Sequence, residues 1–246
     1  MIYIGLPGKS LKRNSYNPAP KGKAILPVEA VNLYRQEDEL SSRLVQEGRA
    51  GEDDSTGYAL STDAKLRRMQ LDMRAFALKH GTLLSRILRT SRHANQRMMA
   101  AGLLGYARQS SSQIADLVWA SRDVDEGVRN LAIRALGVLA KSRVKIAGQI
   151  PFDGFVEMLG SGSSTDRNKA AFLLDEMSRY RNPRLLSSLR SRALDSVIEM
   201  ARWRSATHTG SARNLLGRIA GISENELGRM MDASYVEKVI SSIQKH

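Results

Sequence analysis

The stretch Gly5-Leu6-Pro7-Gly8-Lys9-Ser10 ends in Gly-Lys-Ser, the tail of a P-loop, in which main-chain amides cradle phosphate and the lysine neutralises it. The spacing does not support that chemistry. Tyr3 stands where the loop needs its first glycine, and Asn14, Pro18 and Pro20 oppose the long helix that must start at the lysine. Glu52, Asp53 and Asp54 could offer oxygens to a hard cation, but they lack the alternating spacing and terminal glutamate of an EF-hand, so this stretch reads as a solvated acidic loop. His80, His93, His208 and His246 lie outside helical reach of one another, which leaves no histidine-based zinc motif. No Gly-x-Ser-x-Gly elbow sharpens a serine into a nucleophile. The absence of cysteine excludes disulfides, thiolate metal sites and cysteine nucleophiles. The sequence therefore implies no catalytic residue, no cofactor, no metal ligand and no evident small-molecule substrate: a non-enzymatic chain.

Charge is the remaining chemical signal. The formal net charge is +13, and 27 of the 38 basic residues are arginine, whose planar fork suits phosphate and carboxylate. Segments 1–30, 65–180 and 181–246 carry +4, +9 and +5, whereas 31–64 carries −5. Arg86, Arg89, Arg92, Arg122, Arg134, Lys141, Arg143, Lys145, Arg202, Arg204 and Arg213 form the candidate surface for a partner or polyanion. Such a surface predicts weak, salt-sensitive nucleic-acid binding, and it equally fits a well-solvated face. Arg97, Arg129 and Arg167 recur at one position and are expected to tie one structural unit to the next, with ligand binding as the alternative.

These side chains must be carried by helices. Residues 1–26 hold Pro7, Pro18, Pro20, Gly5, Gly8 and Gly22 with five basic residues, and read as an extended basic arm; its apolar Ile2, Tyr3, Ile4, Leu6, Leu11, Tyr16, Ile25 and Leu26 predict docking. Segment 27–81 reads as two helices, the first starting at Pro27 and ending at Gly48, the second closed by Gly81, with an acidic loop at 48–63. From residue 82 to 222 the chain repeats. RMMAAGLLGYA (97–107), RNLAIRALGVL (129–139) and RNKAAFLLDEM (167–177) align without a gap, so that Ala100, Ala132 and Ala170 coincide, as do Leu104, Leu136 and Leu174. Ala212 and Leu216 mark a fourth copy. An apolar helix pattern precedes each copy, which makes every unit a helical hairpin that must stack to bury both faces. The last segment, 223–246, reads as two capping helices with capping boxes at Ser223/Glu226 and Ser234/Glu237.

The stretch SRDVDEGVRNLAIRALGVLA (121–140) resembles a HEAT repeat of the short bacterial, lyase-type class: Asp123 and Asp125 in the turn, then Val128, Arg129, Ala132, Ala135, Leu136, Gly137 and Leu139. The resemblance runs through roughly 83–220 and weakens toward its end. Ser91 and Ser161 stand where this unit has Asp123, so a regular Asp–Arg ladder is not implied. What the resemblance implies is an all-α solenoid, a scaffold or adaptor that binds a protein partner through its concave surface. A nucleic-acid-binding module is the alternative. Trp119 and Trp203, each beside arginine, are similar to the basic aromatic groove of HEAT-like alkylpurine DNA glycosylases, but no catalytic carboxylate of that family finds a match here, and packing between repeats is their simpler use. No apolar run of about 18 residues and no signal-like stretch occurs, which implies a cytoplasmic chain without a membrane span.

Overall fold

The computed structural model describes residues 15–204 and 206–244. The P-loop-like stretch, the first half of the expected arm and His246 lie outside them. The described residues form eleven α-helices, one 3-10 helix and a hairpin of two-residue strands, an all-α fold of the helical-repeat solenoid type. Two compact units divide the chain, one of Ser15–Ile150 and one described from Pro151 onward.

In the first unit α1 (Val28–Gln46) follows Pro27, which stands just before the helix, and ends ahead of Gly48, whose φ of +68° terminates it. β1 (Glu52–Asp53) pairs antiparallel with β2 (Leu60–Ser61). α2 (Ala64–Thr90) begins under the Asp63 side chain, which accepts from the Lys65 and Leu66 amides. Non-helical backbone at His80 (φ −120°, ψ 22°) divides this element into two helices meeting at a kink, one residue before Gly81, the expected end of the N-terminal helix; the second runs on to Thr90 as the first helix of the first hairpin. α3 (Ala94–Leu104) completes that hairpin, α4 (Ser111–Ala120) and α5 (Glu126–Ser142) form the next, and a short α6 (Val144–Ala147) follows. α3 packs on α5 and α2 on α4, which is the stacking a repeat requires.

The second unit contains α7 (Asp153–Met158) with α8 (Ser164–Ser178) and α9 (Pro183–Ala201) with α10 (Ala206–Ile219), stacked in the same way. A 3-10 helix, Glu224–Met231, and α11 (Ala233–Ile243) cover α10. The cover is close: a Cβ on Gly217 would lie 2.6 Å from Leu227 Cδ2. Neither expected capping box forms: Ser223 stands at the N-cap but bonds Glu226 side chain to side chain at 2.7 Å and caps no amide, and Ser234 lies inside the last helix. Asp232 is the cap of α11, accepting from the Ser234 amide, and Glu237 is turned to Arg202 instead. Ala100, Ala132, Ala170 and Ala212 are fully buried, and Leu104, Leu136, Leu174 and Leu216 are at most 2% exposed. The small-then-large pair is the core of every hairpin, where alanine admits the neighbouring helix and leucine fills the layer behind it.

Candidate functional site

The recurring arginines are buried. Arg97 donates Nε and Nη2 to the two carboxylate oxygens of Asp123 at 2.7 and 2.8 Å, and Nη1 to the Ser91 carbonyl at 2.8 Å. Both partners of that pair are 1% exposed. Arg129 Nη1 donates to the Asp123 and Val124 carbonyls, and its guanidinium lies 4.0 Å from the Tyr16 ring. Arg167 forks onto Glu199 at 3.0 and 3.1 Å and faces the Trp203 ring. Trp203 occupies the turn position that Asp123 holds two repeats earlier, so an aromatic face replaces a carboxylate there. Trp119 meets Arg89 of the preceding hairpin. Both tryptophans thus pack between repeats.

The candidate basic surface divides. Arg89 pairs with Asp116 at 2.6 Å, Lys141 with Asp54 at 2.8 Å, Arg202 with Glu237 at 2.6 Å and Arg134 with Glu52. Arg213 binds the Ala201 and Met231 carbonyls, and Arg92 points Nε at His93. Arg86, Arg122, Arg143, Lys145 and Arg204 are exposed. The acidic segment is therefore not a solvated loop: Glu52 and Asp54 hold α5, Gln109 Nε2 donates to the Thr56 carbonyl, and the Tyr106 hydroxyl donates to the Ala59 carbonyl at 2.8 Å.

Residues 15–26 dock as extended chain. Asn17 N–H donates to the Arg122 carbonyl at 2.6 Å and its Nδ2 to the Trp119 carbonyl at 3.0 Å, while the Arg92 amide donates to the Gly22 carbonyl at 2.8 Å. Gly22 and Asn17 form parallel bridges with Ser91 and Asp123, the same turn position in successive repeats. A Cβ on Gly22 would stand 2.4 Å from the Thr90 carbonyl oxygen, so the approach requires glycine. Leu26 is buried at the end of this run.

Under the acidic hairpin the first unit holds a cavity of about 190 Å³. Four elements build it: Tyr34, Glu37, Asp38 and Ser41 from α1, Gln70 and Met73 from α2, Gly102 from α3, and Leu131, Arg134 and Val138 from α5. Gly102 lets the Tyr34 ring reach α3, since a Cβ there would lie 2.7 Å from Tyr34 Cε2. Tyr106 and Glu52 complete the wall. Gln70 is held in place by the Ser61 amide, which donates to its Oε1 at 2.6 Å, and its Nε2 donates to Glu37 Oε1 at 2.9 Å. Burial pushes the Glu37 carboxyl above the usual carboxylate range; the Gln70 bond opposes this, Asp38 adds to it, Arg134 opposes it and Glu52 adds to it. Burial likewise raises the Tyr34 and Tyr106 phenols, which stay neutral donors.

Of the cavity's acidic and phenolic side chains the sequence singles out only Glu52, and as part of a solvated acidic loop; of the candidate basic surface the cavity includes only Arg134. A signal exists: Tyr34, Glu37, Asp38 and Ser41 recur at i, i+3, i+4 and i+7, one face of a helix, and Gly102 takes the position that Arg134 holds in the next repeat.

No known family model matches the chain, and no curated protein matches it. Among solved structures it is similar to computationally designed armadillo repeat proteins for modular peptide recognition, with 14% identity over 87% of this chain and 92% of that one and a TM-score of 0.51. At that identity the likeness concerns architecture, and it places the chain among helical-repeat solenoids.

Proposed function

We propose that the chain is a non-enzymatic HEAT-repeat scaffold or adaptor that binds a protein partner as an extended segment along its stacked hairpins, with the concave surface that stacking generates as the platform. The observation that carries this reading is the docking of residues 15–26. An extended polypeptide lies on equivalent turns of successive repeats through main-chain hydrogen bonds, at Ser91–Arg92 and at Arg122–Asp123. Main-chain pairing of this kind supplies affinity without demanding a sequence, and pockets nearby supply the choice of side chain. The designed neighbour's purpose, modular peptide recognition, agrees with this reading. The nucleic-acid alternative rests on the charge of +13 and on the exposed Arg86, Arg122, Arg143, Lys145 and Arg204; it loses support from Arg89, Arg134, Lys141 and Arg202, which are satisfied by carboxylates.

The test is selection of a displayed random-peptide library on the immobilised full chain at physiological salt, beside a salt titration with short duplex DNA. Enrichment of peptides, with DNA retention lost as salt approaches the physiological level, is the expected result. Submicromolar DNA or RNA binding at physiological salt with no peptide enriched overturns the scaffold reading.

A further inference from the structure

We propose that the cavity of the first unit receives one basic side chain, arginine or lysine, of an extended peptide; the partner class rests on the scaffold reading. The charge facing the cavity is opposite to that of the chain: Glu37, Asp38 and Glu52 stand against Arg134 alone, in a protein of net charge +13. Arg134 is engaged with Glu52. Glu37 is held by the neutral Gln70 amide, and among the described residues no lysine or arginine nitrogen lies within 4 Å of its carboxylate or of that of Asp38. Glu37 is half-buried, and a carboxylate so placed that meets an amide rather than a cation is an incomplete ion pair, which an incoming guanidinium or ammonium completes.

Size and lining select the ligand further. At about 190 Å³ the cavity is smaller than the roughly 300–1,000 Å³ of pockets for cofactors and drug-sized molecules. One long side chain fits its shape: Met73, Leu131 and Val138 offer apolar contact to an aliphatic stem, and the Tyr34 and Tyr106 phenols offer ring and hydroxyl to its charged end. The carboxylates repel anions, and no group of side chains able to hold a metal ion occurs among the described residues. Binding is coupled to protons. The groups facing Glu37 are Tyr34 and Asp38 on its own helix, Gln70 on α2, Tyr106 in the turn after α3, Arg134 on α5 and Glu52 on β1, and a cation that draws Glu37 into its ionised form binds more tightly as pH rises.

Calorimetric titration of the full chain tests this with four probes: N-acetyl-arginine methylamide, N-acetyl-lysine methylamide, a short Gly/Ser peptide with one central arginine, and the same peptide with glutamate instead. The arginine peptide is expected to bind and the glutamate peptide not to. Glu37→Gln, a nearly isosteric change, is expected to weaken binding about tenfold or more, and Asp38→Asn several-fold. Glu237→Gln, in the second unit, leaves affinity unchanged, and circular dichroism with thermal melting shows that each variant is folded. Lowering pH from about 7.5 to about 5 weakens the wild type more than Glu37→Gln. Equal affinity of wild type and Glu37→Gln, equal binding of the two peptides, or no binding by any probe overturns the proposal. Peptides bound independently of Glu37 leave the scaffold reading standing without this site. Capped amino acids bound through Glu37, with no peptide bound, make the cavity a small-cation site and count against the scaffold.

Discussion

Two carboxylates, Asp175 in the second unit and Glu37 in the first, are both pushed up by burial, and they are treated in opposite ways. Asp175 is enclosed by donors. Arg218 Nη1 reaches its carboxylate, its carbonyl and the Ser178 hydroxyl, Asn214 Nδ2 donates to its second oxygen at 3.0 Å, and the other guanidinium nitrogens of Arg218 grip Glu224 at 2.9 and 2.8 Å. Glu37 has the Gln70 amide on one side and a cavity on the other. The first arrangement is complete and ties α8, α10 and the 3-10 helix together; the second holds negative charge in reserve. Burial alone does not separate a structural carboxylate from a binding one, whereas the identity of the facing donor does.

Removing the cation from the closed arrangement has the largest expected effect. Arg218→Ala leaves Asp175 buried without its partner and should cost about 3–5 kcal/mol in urea denaturation. Arg97→Ala should cost a similar amount, because Arg97 and Asp123 are a closed pair inside the first unit, and this would place the distinction in the pairing rather than in the unit. Next comes Ala132→Leu, which overpacks a fully buried position of α5 and should cost about 1–3 kcal/mol in the same assay.

Glu37→Gln should leave stability at neutral pH within about 0.5 kcal/mol of wild type, or raise it, while probe binding weakens. The pH dependence has a definite sign. A folded-state pKa above the unfolded value means that the native chain holds this proton more tightly, so stability from Glu37 is gained as pH falls through the raised pKa and is lost as pH rises above the ordinary carboxylate range. Melting between about pH 5 and pH 7 should show this component in the wild type, and Glu37→Gln should remove it. Arg134→Ala also has a small effect on stability, about 0–1 kcal/mol, since its pair with Glu52 is partly exposed. It releases Glu52 to the cavity, so the arginine peptide should bind more tightly; weaker binding would place Arg134 among the groups that contact the ligand.

The repeat core is legible in the sequence because its chemistry is periodic. Ala132 and Leu136 repeat in kind at Ala100 and Leu104, and burial follows from that register alone. Arg97 and Arg167 are legible as structural for the same reason, although the partners of Arg167 are not: Glu199 and Trp203 do not repeat Asp123. The cavity stays hidden because its parts come from unlike elements. Glu52 meets Arg134 across 82 residues, and Tyr34, which reads as one more apolar position of α1, meets a glycine of α3. The break near Gly81 is legible by contrast: glycine in a helical pattern reads as an end, and the backbone leaves helical geometry at His80, one residue earlier.

The docking of residues 15–26 also constrains the order of events during synthesis. The segment leaves the ribosome before the turns that receive it, and the partners of Gly22 and Asn17, near residues 91 and 122, emerge about 70 and 105 residues later. It must therefore wait as unpaired chain with Leu26 in water until two hairpins have closed. A partner that uses these turns therefore meets repeats already occupied by an earlier segment of their own chain.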